Sequence, residues 1–229
     1  MTGRQTARLR DIIRERFSDT NLGHGADHLL RVEAMALQFL PEDGDANITS
    51  AIALLHDADD YKLHPEGTDL SGLPSATEIL VLAKVQDRDA CYIKNCIRTI
   101  GYAKRLGGVI PTASEAMAVS DADMCDIMGV DGLMRLAAWQ RGDMARFFDP
   151  GKYPDLDKSQ EEYKNSRGPT IVQHMFEKVL RLPPMMLTEK GAVEAWQRWT
   201  FSVAMLKELF RERSEPCWDE YLRKYIENM

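Results

Sequence analysis

Along most of this chain apolar residues return every three or four positions, and alternating runs rich in Val, Ile and Thr are missing. A period near 3.6 predicts helices, and the lack of period two removes strands, so the pattern predicts an all-α chain of about nine or ten helices. The first covers about Arg4 to Phe17. The second runs from about Ala26 to Leu40, stopped by Pro41 and the polar Glu42-Asp43-Gly44-Asp45, and the third from about Asn47 to Asp57. A turn-rich segment follows from His64 to Pro74, then helices near Ser75 to Gln86 and Asp89 to Ile100. Ser75-Ala76-Thr77-Glu78 and Thr112-Ala113-Ser114-Glu115 match the capping box, in which the first and fourth side chains satisfy free amides of the opening turn. The second box is expected to start the helix that carries Asp121. Beyond Asp149-Pro150-Gly151 a polar stretch to Pro169 reads as a lid or a surface loop. Thr170 opens a helix through Leu180, and a long helix runs from about Thr188 to Arg213, with Trp196 and Trp199 expected in the core or against a second subunit.

Composition narrows the class. With 229 residues, 44% hydrophobic and 28% charged, the chain suffices for one globular domain with a sizeable core. A net charge of -7 excludes a nucleic-acid polymer or an anionic membrane as the main partner, because both select a basic footprint. Cys91, Cys96, Cys125 and Cys217 form no C-x-x-C, and the opening Met-Thr-Gly-Arg-Gln-Thr leads into charge, so a cytoplasmic chain with reduced thiols is expected. No uncharged apolar run approaches the ~18 residues that span a bilayer.

The chemistry concentrates where the third helix ends. In Ala53-Leu54-Leu55-His56-Asp57-Ala58-Asp59-Asp60 an apolar run stops in one imidazole and three carboxylates. Carboxylates at the end of a buried segment need a counter-charge, and a divalent metal supplies it. Mixed nitrogen and oxygen donors without nearby Cys suit Mn, Mg, Fe, Co, Ni or Zn and do not choose among them. His28, on the second helix, is the other imidazole. His24, four residues earlier beside Gly23 and Gly25, is taken as a lining residue. For the fourth ligand the candidates are Asp121, Asp123 and Asp126; Asp121 is favoured because it directly follows the apolar Ala-Met-Ala-Val. Asp60 follows His56 by four, within reach of a general-base role toward water if the last turn persists. The candidate metal set is therefore His28, His56 and Asp57 with Asp121, Asp123 being the alternative fourth ligand.

These segments resemble a family. His28, His56-Asp57 and Asp121 resemble the H...HD...D pattern of HD-domain metal-dependent phosphohydrolases, and the likeness covers roughly residues 20 to 212. His24-Gly-Ala-Asp-His28-Leu-Leu-Arg-Val resembles the family's opening H-x-x-x-H-x-x-R-V, and Val-Ser-Asp-Ala-Asp-Met-Cys-Asp its D-A-D-x-x-D segment. Gln173-His174-Met-Phe-Glu177-Lys178-Val-Leu resembles the carboxyl-terminal H-[FM]-x-E-K-L-L of one bacterial branch, similar to nucleotide diphosphohydrolases. Where many relatives carry a basic residue in D-A-D-R-L-D, this chain has Met124.

The resemblance implies an all-α HD-type helical bundle in one domain, 1–229, with the metal-site core in about 20–135 and carboxyl-terminal helices in about 170–228 packed on it. It also implies hydrolysis of a small phosphorylated substrate, a nucleotide, by metal-activated water. In that reading Asp60, Lys62, His174 and Lys178 are catalytic, and His24, Arg31, Lys104 and Arg105 bind substrate. One divalent ion is expected, because no histidine lies between His64 and His174 to hold a second. The competing reading is a non-catalytic nucleotide-binding or regulatory module. A homodimer through the Trp-bearing helix is a further expectation.

Overall fold

The computed structural model describes residues 1–18, 25–60, 63–65, 67–139, 147–159, 161–162 and 170–229. Among the described residues the chain is entirely helical: α1 (Gly3–Arg16), α2 (Ala26–Phe39), α3 (Ala46–Leu55), α4 (Pro74–Leu82), α5 (Asp87–Ile97), α6 (Tyr102–Leu106), α7 (Ser114–Asp126), α8 (Gly129–Trp139), α9 (Ile171–Glu177), α10 (Glu189–Glu212) and α11 (Pro216–Glu227). Two short 3-10 turns, Val179–Arg181 and Pro183–Met185, link α9 to α10.

The centre is a three-helix contact of α2, α3 and α7, against which α10 also lays its length. Its middle member, α3, buries every residue from Ile48 to Leu55, as a helix apolar on all sides must. Asp45 caps it, accepting from the amides of Asn47 (2.8 Å) and Ile48 (3.1 Å), a contact that stabilises a helix by about 1 kcal/mol. α7 is nearly as enclosed, and the small residues Ala116, Ala118, Ser120 and Ala122 let its neighbours approach closely. α1 instead shows a stripe, burying Thr6, Leu9 and Ile13.

Neither predicted capping box forms. Pro74 starts α4 one residue early, the side chain of Asp59 accepts from the amides of Ser75 (2.8 Å) and Ala76 (2.9 Å), and Glu78 pairs with Arg16 at 2.6 Å. At α7 the cap is Ala113, while Glu115 accepts from the Asp45 amide (2.9 Å) and the Tyr92 hydroxyl (2.8 Å). Boxes do form at Thr2 with Gln5 and at Thr170 with Gln173. α3 also stops at Leu55, two residues short of the expected end, so the His-Asp pair sits on the turn beyond it.

Long-range ties fix the carboxyl-terminal part. Trp218 on α11 is buried, stacks on Tyr153 at 4.6 Å and donates its indole N–H to the Pro150 carbonyl at 3.1 Å. Glu177 accepts from the Asp155 amide (3.0 Å) and Lys158 (2.6 Å), so residues 147–159 lie strapped across α9; residues 160 and 163–169 of the expected lid lie outside the described residues. On α10, Trp199 packs partly buried against the core, whereas Trp196 is exposed. No helix among the described residues is long and apolar enough to cross a membrane.

Candidate metal centre

His28 stands in the first turn of α2 and His56 directly after Leu55, and both side chains are almost fully enclosed. Each ring is held by its Nδ1. That of His56 donates to the Ala53 carbonyl at 2.8 Å, and that of His28 donates to Asp126 Oδ2 at 2.7 Å. With the protons placed there, both Nε2 lone pairs face the same point. Their rings lie edge to face, 5.3 Å apart.

Two carboxylates complete the group. Asp57 Oδ2 lies 3.4 Å from His28 Nε2 and its Oδ1 3.5 Å from His56 Nε2, while Asp123 Oδ1 alone lies 3.7 Å and 3.6 Å from the same two nitrogens. One donor atom each from His28, His56 and Asp123 lie within 4.8 Å of one another, close to the roughly 3 to 3.5 Å between ligands about 2.1 Å from a single divalent cation. Among the described residues nothing hydrogen-bonds to the buried His56 Nε2, which a metal ion would satisfy. Asp57 and Asp123 are 15% and 26% exposed, against 1–2% for the imidazoles, so the open side of the centre is the carboxylate side.

The electrostatics point the same way. Burial pushes His56 down, but the charges of Asp57 and Asp123 outweigh it and raise the imidazole to about 10. For His28, too, burial is outweighed, here by Asp126 and Asp57. Burial pushes Asp123 up, and its contact with His56 brings it below the usual carboxylate range. These acids demand positive charge between the rings.

Asp121 is not part of this group, which corrects the expected ligand set. Its carboxylate faces α10, accepting from the amides of Leu187 (2.9 Å) and Thr188 (2.7 Å) and from the Thr188 hydroxyl (2.7 Å). Residues two apart on a helix do not share a face, whereas Asp123 and Asp126, three apart, do. The His28 ring bridges that face, Nε2 toward Asp123 and Nδ1 to Asp126. The three-residue spacing was a signal in the sequence for this pairing, and the order of apolar residues before Asp121 was not.

The other expected residues divide. Lys178 ends α9 with its ammonium over the Tyr102 ring, 5.1 Å from the centroid. Burial pushes the ammonium down, Arg135 adds to this, and the charges of Asp123, Asp57 and Asp60 oppose it. Asp60 lies on a turn, its amide donating to the Asp57 carbonyl at 3.0 Å, rather than on a continued helix. The Arg31 guanidinium binds Asp126 (2.9 Å) and Asp27, behind His28. Lys104 donates to the Ile97 carbonyl at 3.0 Å and Arg105 to that of Met185 at 2.7 Å. His174 sits half-buried on α9 and is not among the converging metal donors. His24 and Lys62 lie outside the described residues.

No family model matches the chain. Its fold is nevertheless that of solved HD-domain proteins: an HD-superfamily hydrolase from Bacillus thuringiensis aligns over 92% of this chain and 97% of its own, with a TM-score of 0.66 and 22% identity. Among sequences, the chain is similar to the uncharacterized protein YpgQ of Bacillus subtilis, 28% identical over 214 residues that cover 91% of this chain and 94% of YpgQ. A crystal structure of YpgQ in complex with ADP aligns over 90% of this chain and 97% of that one with a TM-score of 0.62 and 23% identity. A protein from Lactobacillus plantarum aligns with a TM-score of 0.80 and 24% identity, covering 93% of this chain and 98% of that one.

Proposed function

We propose that the chain is a mononuclear metal-dependent phosphohydrolase whose substrate is a small phosphorylated metabolite, a nucleotide. The observation that carries this reading is the convergence of His28, His56 and Asp123, with an Asp57 oxygen against each imidazole. The ADP bound by YpgQ supports a nucleotide, and the hydrolase from Bacillus thuringiensis supports turnover.

The two imidazoles and two carboxylates would hold the ion, which when bound would polarise a phosphoryl oxygen and acidify water. The remaining steps belong to side chains of this chain. Asp60 accepts the proton of the attacking water from the carboxylate side. Lys178 neutralises charge that develops on the phosphoryl oxygens, a role suited to a fixed ammonium in a partly dry site. His28 and His56, fixed by Asp126 and the Ala53 carbonyl, keep their lone pairs aimed and take no part in proton transfer.

A screen of phosphorylated metabolites with Mn, Mg, Co and Ni, scored separately for phosphate and pyrophosphate, tests this function. His56→Ala and Asp57→Ala are expected to lose both metal and phosphate release, and Asp60→Ala to keep metal while losing rate. Full activity in Asp57→Ala overturns the reading.

A further inference from the structure

The Asp126 carboxylate behind His28 carries more than one partner. Oδ2 accepts His28 Nδ1 at 2.7 Å, Arg31 Nη2 at 3.2 Å and Arg135 Nη1, while Oδ1 accepts Arg31 Nε at 2.9 Å. Arg135 Nη1 also reaches the Asp126 backbone carbonyl at 3.4 Å, at the last residue of α7, where helical carbonyls lack partners. One guanidinium from α8 thus holds both the side chain and the main chain of the residue that orients His28. Arg31 comes from α2, three residues after His28, and ties Asp126 to α2, whereas Arg135 ties it to α8.

We propose that Arg135 is a positioning residue that acts through Asp126 on His28 and thereby sets the affinity of the centre for its divalent ion. This inference rests on the metal-centre reading. The separations from His28 Nε2 to Asp57 and Asp123, 3.4 Å and 3.7 Å, leave little play, and a functional constellation works only within about 0.5 Å of its geometry. With Arg135 removed, Asp126 loses the donor that fixes it from the α8 side. Its carboxylate then pivots on Arg31 and carries the ring with it.

Titration of the metal-free protein with Co(II), followed by calorimetry and by the visible absorption of the bound ion, tests this. Arg135→Ala is expected to weaken binding about 10- to 100-fold, the usual range for outer partners of ligating histidines, and to change the cobalt bands. Arg135→Lys keeps the charge but not the fork, and is expected to lie between wild type and Arg135→Ala. Wild-type affinity and bands in Arg135→Ala overturn the proposal, even if its unfolding temperature falls. If Arg135→Ala does not fold, Arg135→Lys decides alone, and wild-type affinity there overturns it. Co(II) binding that His56→Ala leaves unchanged overturns instead the metal-centre reading itself.

Discussion

Asp121 Oδ2 accepts two hydrogen bonds from Thr188, one from its amide and one from its hydroxyl, each 2.7 Å long. Thr188 is the N-cap of α10, and the same hydroxyl accepts the amide of Gly191 at 3.1 Å. A carboxylate from α7 thereby closes the start of the longest helix, where unsatisfied amides and the positive end of the helix dipole favour an anion. Two residues further on, Asp123 faces the opposite way into the metal group.

Asp121 and Asp123 should therefore fail differently. Asp121→Ala leaves the buried donors of Leu187 and Thr188 without an acceptor and is expected to destabilise the metal-free fold by about 3 kcal/mol in urea unfolding with chelator, while the folded variant without chelator still binds one metal per chain. Asp123→Ala is expected to lose metal and to keep most of its metal-free stability. Loss of metal in folded Asp121→Ala, with Asp123→Ala still binding, would reverse the assignment.

Close approach at the same junction makes a second prediction. A Cβ on Gly191 would stand 2.6 Å from both Asp121 Oδ2 and Thr188 Oγ1, and neither atom can retreat without breaking the cap. Gly191→Ala is expected to cost about 1 to 3 kcal/mol despite the better helix propensity of alanine. Thermal unfolding of the two proteins side by side reads this directly. A stabilised variant would show that the cap is not as tight as described.

Much of this architecture was legible in the sequence for local reasons. Helical period and breakers such as Pro41 act within a few residues, so α1, α2 and α10 fall within one or two residues of their expected ends. The caps of α4 and α7 were not legible, because Asp59, Arg16, Asp45 and Tyr92 arrive from elsewhere and displace the local boxes. The same holds at the centre. That His56 and Asp57 end a buried run can be read along one segment, but which aspartate of 121, 123 and 126 meets them depends on how α7 is rotated against α2. The task of Arg135 depends on a third helix again.

Alkaline pH should loosen the α9–α11 contact through Tyr225. Its hydroxyl donates to the Phe176 carbonyl at 3.0 Å, and burial pushes its pKa up to about 12. The folded chain then keeps a proton that the unfolded chain releases near 10. Its contribution is fully present below about pH 10 and is lost as pH rises through 12. Tyr225→Phe is expected to be less stable by about 1 kcal/mol at pH 8, from the missing hydrogen bond, and this gap should close or invert at pH 11. A gap that stays constant in urea unfolding across that range would exclude the Tyr225 contribution.

Lys178 separates metal binding from turnover. The charges of Asp123, Asp57 and Asp60 act on its ammonium, so it opposes a second positive charge in the centre while favouring a phosphate beside it. Lys178→Met removes the charge at similar length. Co(II) should then bind as tightly as in wild type or more tightly, because the carboxylates lose a competing cation. Phosphate release from the substrate found by screening should fall by about 10²- to 10³-fold, the usual cost of losing a donor to developing charge. The loss should appear in kcat more than in KM if the ammonium meets charge that grows in the transition state. Weaker Co(II) binding with unchanged kcat would assign Lys178 to the structure of the centre and leave the phosphoryl oxygens to another cation.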